Sequence, residues 1–97
     1  MVLHLGEGQS VPAESVIAIL TASSPSPEFT SYIASLRRLH RYSACKGKPK
    51  AYVLVRERGR DRIYASIISP ATLQKRLVDT VLRLDLFEAA VLTTGES

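Results

Sequence analysis

The cationic side chains of this chain are concentrated in one stretch, and the chemistry they favour is phosphate binding. Ten of the thirteen lysines and arginines lie within residues 37–62, together with only two of the nine acidic residues. A concentrated positive field attracts polyanions at long range, and lysine and arginine neutralise phosphates with release of counterions. No helix-turn-helix pattern or aromatic-rich RNA motif accompanies the stretch. It therefore predicts salt-sensitive contact with a nucleic-acid backbone rather than base readout.

The predicted contacts to double-stranded DNA are cations of this stretch and one cation of the last predicted helix. They are Lys46, Lys48, Lys50, Arg76, Arg37, Arg38, Arg41, Arg58 and Arg60. Three lysines alternate with other residues, among them glycine and proline, in a loop that would hold their ammonium groups outward. The alternative is that the loop and a charged hairpin are solvated connections that keep edge strands apart. For a single copy of the domain the two interpretations are equally supported. In a symmetric assembly the basic surface would be repeated, and multivalency would then favour binding.

The remaining reactive residues form no catalytic or metal-binding pattern. His4 and His40 fall in different predicted elements, and neither is accompanied by a carboxylate-rich motif. Cys45 is the single cysteine, and although Lys46 could activate its thiol, no second cysteine or histidine partner is evident. The turn at residues 6–8 lacks the lysine and hydroxyl residues of a phosphate loop. We therefore expect no enzyme, no cofactor, no metal and no small-molecule substrate.

Length and composition predict one small domain that self-associates in the cytoplasm. A chain of 97 residues with 45% hydrophobic and 23% charged residues lies near the lower limit for a self-sufficient core, and an oligomer would bury further surface. The longest apolar run, at residues 16–20, is far shorter than the roughly 20 residues that span a membrane. The N-terminus lacks the pattern of a signal peptide, and a single cysteine fits a reducing compartment.

The pattern of residues predicts an α/β (α+β) domain with a small mixed or antiparallel sheet, a β-hairpin and two helices. Strands are expected at residues 2–5 and 15–20, and the second is apolar on both faces, as in a strand covered by a core or by a neighbouring subunit. Alternating residues at 51–56 and 62–68 predict a hairpin with a five-residue loop at 57–61.

Both predicted helices begin with a serine cap followed by proline. Ser26 and Pro27 start the first, and Ser69 and Pro70 start the second, in agreement with helix N-terminal preferences. Apolar residues at helical spacing predict a core-facing stripe on the first helix, and on the second a face broad enough to pack against more than its own small sheet. The first stripe is Phe29, Tyr32, Ile33, Leu36 and Leu39; the second is Leu73, Leu77, Val81 and Leu84, widened by Val78, Leu82 and Leu86. A polar tail is expected at residues 93–97.

Four segments, taken in order, resemble the RemA/RemB family of small bacterial regulators of extracellular-matrix genes. They are Val2-Leu3-His4-Leu5-Gly6, the apolar run at 16–20, Ile63-Tyr64-Ala65-Ser66, and Ser69-Pro70-Ala71-Thr72-Leu73-Gln74-Lys75-Arg76. The first segment, with Pro49-Lys50-Ala51-Tyr52, is more similar to the RemB branch. The resemblance covers about residues 1–76. We accordingly expect a family-like domain over residues 1–78, with a C-terminal helical extension and polar tail at 79–97.

The resemblance implies a ring-shaped homo-oligomer that binds DNA on a basic surface and affects transcription of biofilm-matrix genes. RemA-type proteins carry arginines in the loop before the hairpin, where this chain has Gly47, Lys48, Pro49 and Lys50. A family arginine before the apolar strand is matched here by Ser15, whereas Arg76 does match. Lysine keeps the charge but lacks the bidentate fork of arginine. The alternative is a self-assembling protein-interaction scaffold without DNA binding.

Overall fold

The computed structural model describes the backbone of residues 1–95 and the side chains of residues 1–82. Six strands, two helices and one 3₁₀ turn make up the described chain. In order they are β1 (Val2–Gly6), β2 (Gln9–Pro12), a 3₁₀ turn (Ala13–Ser15), β3 (Val16–Thr21), α1 (Pro27–Arg38), β4 (Tyr42–Ser43), β5 (Ala51–Glu57), β6 (Arg60–Ser66) and α2 (Pro70–Gly95). The predicted α+β fold with two helices and a β-hairpin is confirmed.

The strands form two sheets. β1 and β2 pair as an antiparallel hairpin, and the larger sheet has the strand order β3-β5-β6-β4. Within the larger sheet, β5 pairs antiparallel with β3 and β6, and β4 pairs parallel to β6. The larger sheet is therefore mixed, and the six-residue strand β3 forms one of its edges.

The larger sheet is covered on both faces. Val53 and Val55 point to the face covered by the β1–β2 hairpin and α2, where they pack in one cluster with Leu3, Leu5 and Leu73. The opposite face carries Ile63, which packs against Ile33 and Leu36 of α1. Because successive side chains of a strand alternate between faces, the predicted alternation in β5 supplies both layers.

The predicted caps of both helices are confirmed. The Ser26 hydroxyl accepts a hydrogen bond from the Phe29 amide at 3.1 Å, and Pro27 is the first residue of α1. At α2 the Ser69 hydroxyl accepts one from the Thr72 amide at 3.3 Å. A capping serine satisfies an amide that has no partner within the helix. Proline at the first position costs no helical hydrogen bond, because the amide hydrogen that it lacks would have no partner there.

The predicted stripe of α1 is wrong at Leu39, whereas the apolar face of α2 is broader than the part that the core of one chain covers. Leu39 is 65% exposed because α1 ends at Arg38 and Leu39 is its C-terminal cap. In α2, Leu73 is fully buried and Leu77 packs against the same core, but Val78, Val81 and Leu82 are exposed in the single chain. Leu84 and Leu86 lie outside the described side chains.

The helix α2 is long and continuous. Its 26 residues correspond to about 39 Å at 1.5 Å per residue, and its first turns are those that pack on the domain through Leu73 and Leu77. The predicted boundary after residue 78 falls inside this helix, and the division of the chain there stays a prediction. Helical structure continues through Gly95, beyond the expected start of a polar tail at residue 93.

Candidate nucleic-acid interface

The β5–β6 hairpin ends in a tight turn of two residues. Glu57 pairs with Arg60, which leaves Arg58 and Gly59 as the turn, with φ angles of 52° and 76°. Positive φ at both central residues defines a type I′ turn, whose twist matches that of the flanking strands. The predicted five-residue loop is therefore wrong, since Glu57, Arg60 and Asp61 belong to the paired strands.

Asp61 connects three residues near this turn. It forms an ion pair with Arg56 at 3.0 Å, accepts a 2.6 Å hydrogen bond from the Tyr32 hydroxyl, and its main-chain oxygen accepts one from Arg41 Nε at 2.6 Å. The hydrogen bond from Tyr32, aided by Arg56, lowers the pKa of Asp61. Burial, followed by the same hydrogen bond, raises the pKa of Tyr32 to about 12.

Glu57 forms a second network on the same hairpin. It accepts a 2.6 Å hydrogen bond from the Tyr64 hydroxyl and lies 3.5 Å from Arg62 Nε. Arg62 also donates to Ser43 Oγ at 2.8 Å and to the carbonyl of His40 at 3.2 Å. The guanidinium of Arg62 is thus engaged on all three nitrogens and has a structural role.

Three arginines at this end of the sheet have no acidic partner among the described side chains. Arg56 and Arg62 take up the two carboxylates of the hairpin. Arg41 uses its Nε on a main-chain oxygen, while the exposed Arg58 and Arg60 make no ion pair with any described side chain. A groove of about 750 Å³ runs between these arginines. It is lined by Pro12, Arg41, Glu57, Arg58, Arg60 and Arg62, and we call it the hairpin-end groove.

The three predicted lysines lie together on the segment before β5, which we call the lysine loop (residues 45–50). Lys46, Lys48 and Lys50 are all exposed. Both carboxylate oxygens of Glu7 lie 3.0 Å from the Lys46 amide, and the Lys50 amide donates to the Ser66 carbonyl at 2.8 Å. The loop is therefore attached to the β1–β2 turn at one end and to β6 at the other.

The single basic stretch of the sequence thus folds into two basic surfaces. Lys50 precedes β5 and Arg58 follows it, and seven residues of strand span roughly 20 Å at about 3.3 Å per residue. The hairpin-end groove brings together Arg41, Arg58 and Arg60, whereas the lysine loop lies at the other end of the same strand. The sequence shows that these residues are close in the chain, but the strand between them separates them in space.

The remaining predicted site residues lie on the helices. The guanidinium of Arg37 stacks over the Tyr42 ring at 4.3 Å, and Arg38 donates to Ser35 Oγ at 3.1 Å. Arg76 lies on α2, on the opposite face of the sheet from α1, and donates to the carbonyl of His4 at 3.2 Å. Arg76 therefore belongs to neither basic surface.

Sequence reasoning missed the residues that organise the groove. Glu57 pairs with Arg62, and Asp61 binds Arg56 and Arg41. Tyr32 donates its hydroxyl to Asp61, and Pro12 forms one wall of the groove. A signal for Asp61 was present, because a two-residue turn at Arg58-Gly59 places Arg56 opposite it in the hairpin register. Nothing in the local sequence indicated Tyr32 or Pro12, since both reach the hairpin from distant parts of the chain.

Two comparisons of the sequence, with family models and with curated proteins, identify no relative. No protein-family model matches the chain, and a search of curated proteins returns no match.

Among the described residues, no helix is long and apolar enough to cross a bilayer. In the same part of the chain, no three histidine, cysteine, aspartate or glutamate side chains are grouped where they could hold a metal ion. The RemA/RemB resemblance stays a prediction.

The tyrosines of this region predict alkaline destabilisation. Burial is the main cause that raises the pKa values of Tyr32, Tyr52 and Tyr64, above the value of about 10 expected in the unfolded chain. Between these values the folded state keeps protons that the unfolded state has lost, so stability falls as pH rises. Urea denaturation should show a constant free energy of unfolding between about pH 6 and pH 9, then a decline toward pH 12.

The variant Tyr32→Phe provides the control for this titration. It removes the group whose pKa is raised to about 12, so the decline above pH 10 should be less steep than in the natural chain. An unchanged slope in the variant, or a natural chain equally stable at pH 9 and pH 11, would contradict the assignment.

Proposed function

We propose that this chain is a DNA-binding transcriptional regulator that acts as a homo-oligomer and contacts the phosphate backbone through two basic surfaces. The observation that carries the proposal is the distribution of charge. At the hairpin end both carboxylates are engaged by internal arginines and tyrosines. The exposed cations that remain at this end, and the three lysines at the other end, are directed to solvent on a framework of paired strands.

The spacing of the two surfaces suits a polyphosphate. Each DNA strand carries one phosphate per 3.4 Å of helix axis, so a separation of about 20 Å is shorter than one turn of duplex, which is about 34 Å long. A small anion would contact one surface only, whereas a duplex is long enough to contact both. Copies of the domain in an oligomer would repeat these contacts and multiply the effective affinity. Extracellular-matrix (biofilm) genes in a bacterial cytoplasm are the targets that the RemA/RemB resemblance implies.

Contact with the backbone predicts tolerance of DNA sequence. Two labelled duplexes of equal length and unrelated sequence should bind with dissociation constants within about threefold of each other, because phosphate contacts carry no base information. Fluorescence anisotropy at low salt measures both. A preference of more than a hundredfold for one duplex would contradict backbone recognition, and absence of binding to both would contradict the proposal itself.

A self-assembling scaffold without DNA binding is the second candidate, and exposed apolar residues favour it. Ile17 is 49% exposed on the edge strand β3, whose outer backbone groups have no strand partner within the described chain. Val78, Val81 and Leu82 of α2 are also exposed. Edge strands of this kind are templates for pairing with another chain.

Light scattering separates the two candidates when it is combined with the anisotropy measurement. If the natural chain assembles and Ile17→Lys reduces its mass to that of one chain, β3 is an assembly contact. Assembly without DNA binding at low salt would favour the scaffold. Assembly together with DNA binding would favour the oligomeric regulator.

A further inference from the structure

We infer that the hairpin-end groove is a phosphate-binding site in its own right, which operates without the lysine loop. The inference rests on the proposed function only where DNA is the molecule that supplies the phosphate. Phosphate groups of a free oligophosphate or nucleotide carry the same chemistry and would be bound by the same arginines.

One arginine of the groove, Arg41, is held in place before any ligand binds. Arg41 donates its Nε to the main-chain oxygen of Asp61 at 2.6 Å, which fixes the direction of the guanidinium and leaves its two terminal nitrogens unused in that bond. Arg58 and Arg60 lie on either side of Gly59 at the same groove. Guanidinium groups bind phosphate with two parallel hydrogen bonds, and a fixed orientation lowers the entropy lost on binding.

The groove carries positive charge although a carboxylate lines it. Glu57 accepts from Tyr64 at 2.6 Å and lies 3.5 Å from Arg62, so its charge is offset within the wall of the groove. Asp61 is offset in the same way by Arg56. The charges of Arg41, Arg58 and Arg60 remain for a ligand. Three cations around one concave surface match the charge and the several acceptor oxygens of a diphosphate.

The backbone at Arg58 makes this residue a suitable place for a test. Arg58 has a φ angle of 52°, at the first central position of a type I′ turn, where asparagine, aspartate and glycine are strongly preferred. A left-handed conformation is unfavourable for a long side chain, and Glu7, Ser24 and His40 adopt it as well. Here the conformation places a guanidinium at the rim of the groove, at a position where asparagine would make the turn more stable.

The substitution Arg58→Asn tests the site without endangering the fold. It should raise the melting temperature by roughly 2–6 °C, because asparagine suits the turn. In isothermal titration of the full chain with sodium pyrophosphate, it should weaken binding by about tenfold, the loss expected for one charge-assisted contact. The matched control Lys48→Asn removes one charge from the lysine loop and should leave pyrophosphate affinity within about twofold, since that loop lies roughly 20 Å away.

Two results would overturn the inference: pyrophosphate affinity unchanged by Arg58→Asn, or weakened equally by Lys48→Asn. If Arg58→Asn altered the turn, Arg60→Gln would test the same groove from the adjacent strand, with the same expected loss. Pyrophosphate binding by a natural chain that does not bind DNA would contradict the proposed function and support this site. DNA binding without pyrophosphate binding would support the proposed function and overturn this site.

Anisotropy with a labelled duplex identifies the source of the phosphate. If Arg58→Asn weakens DNA and pyrophosphate binding by similar factors, and pyrophosphate displaces DNA, the groove binds the DNA backbone. If Arg58→Asn weakens only pyrophosphate binding, the groove serves a free phosphate-bearing ligand. Both results support a phosphate site and differ in the ligand that reaches it.

Discussion

Replacing Lys46, Lys48 and Lys50 together with glutamate is expected to abolish DNA binding at physiological salt. Each lysine that contacts a phosphate contributes about 0.9 to the slope of log affinity against log salt, so three contacts contribute roughly 2.7. Reversal of the charges adds repulsion to this loss, and we expect affinity to fall by at least about a hundredfold. All three side chains are exposed, so the domain should remain folded.

Two variants give this experiment its controls. The triple substitution to glutamine removes the same contacts without repulsion, and it should lower the salt slope by roughly the same 2.7 with a smaller loss of affinity. Lys75→Glu reverses an exposed charge on α2, outside both basic surfaces, and should have a small effect. A triple glutamate variant that melts normally and binds DNA like the natural chain would remove the lysine loop from the proposal.

Leu73→Ala is expected to cause the largest loss of stability among single substitutions of α2. Leu73 is 0% exposed and packs with Leu3, Leu5 and Val55, and removal of a buried leucine side chain costs about 2–5 kcal/mol through lost burial and the cavity left behind. Small domains are stable by only about 5–15 kcal/mol. Chemical denaturation followed by circular dichroism should therefore show a substantially lower midpoint.

Val78→Ala is the matched control because it lies on the same helix but is 54% exposed. Its free energy of unfolding should change by no more than about 0.5 kcal/mol. A loss in Leu73→Ala as small as that in Val78→Ala would contradict the assignment of α2 to the core through Leu73. Large losses in both variants would indicate that the exposed face of the helix is also buried, in an assembly.

The elements of the fold were largely predictable because their signals are local. Serine followed by proline marked both helix starts, and the alternation of Val53 and Val55 marked the inward face of β5. The hairpin loop was not predictable from charge alone. Glu57 and Asp61 look like loop residues, but ion pairs with Arg62 and Arg56 allow them to lie within paired strands.

The arrangement of the candidate site was less predictable than its composition. The sequence indicates which residues are cationic, and its local patterns suggest a strand between the lysines and the hairpin. The roughly 20 Å that this strand introduces, the supporting hydrogen bond from Tyr32 and the wall formed by Pro12 depend on tertiary structure. Leu39 illustrates the same limit, since its helical spacing continues past the residue at which α1 ends.

The most direct test of the central proposal is the salt dependence of DNA binding by the natural chain. Fluorescence anisotropy of a labelled duplex would be measured at several salt concentrations between about 50 and 300 mM. The proposal predicts a linear decrease of log affinity with log salt. If both basic surfaces contact phosphates, the slope should be about −4 or steeper. No binding at 50 mM salt, or binding insensitive to salt, would contradict recognition of the phosphate backbone.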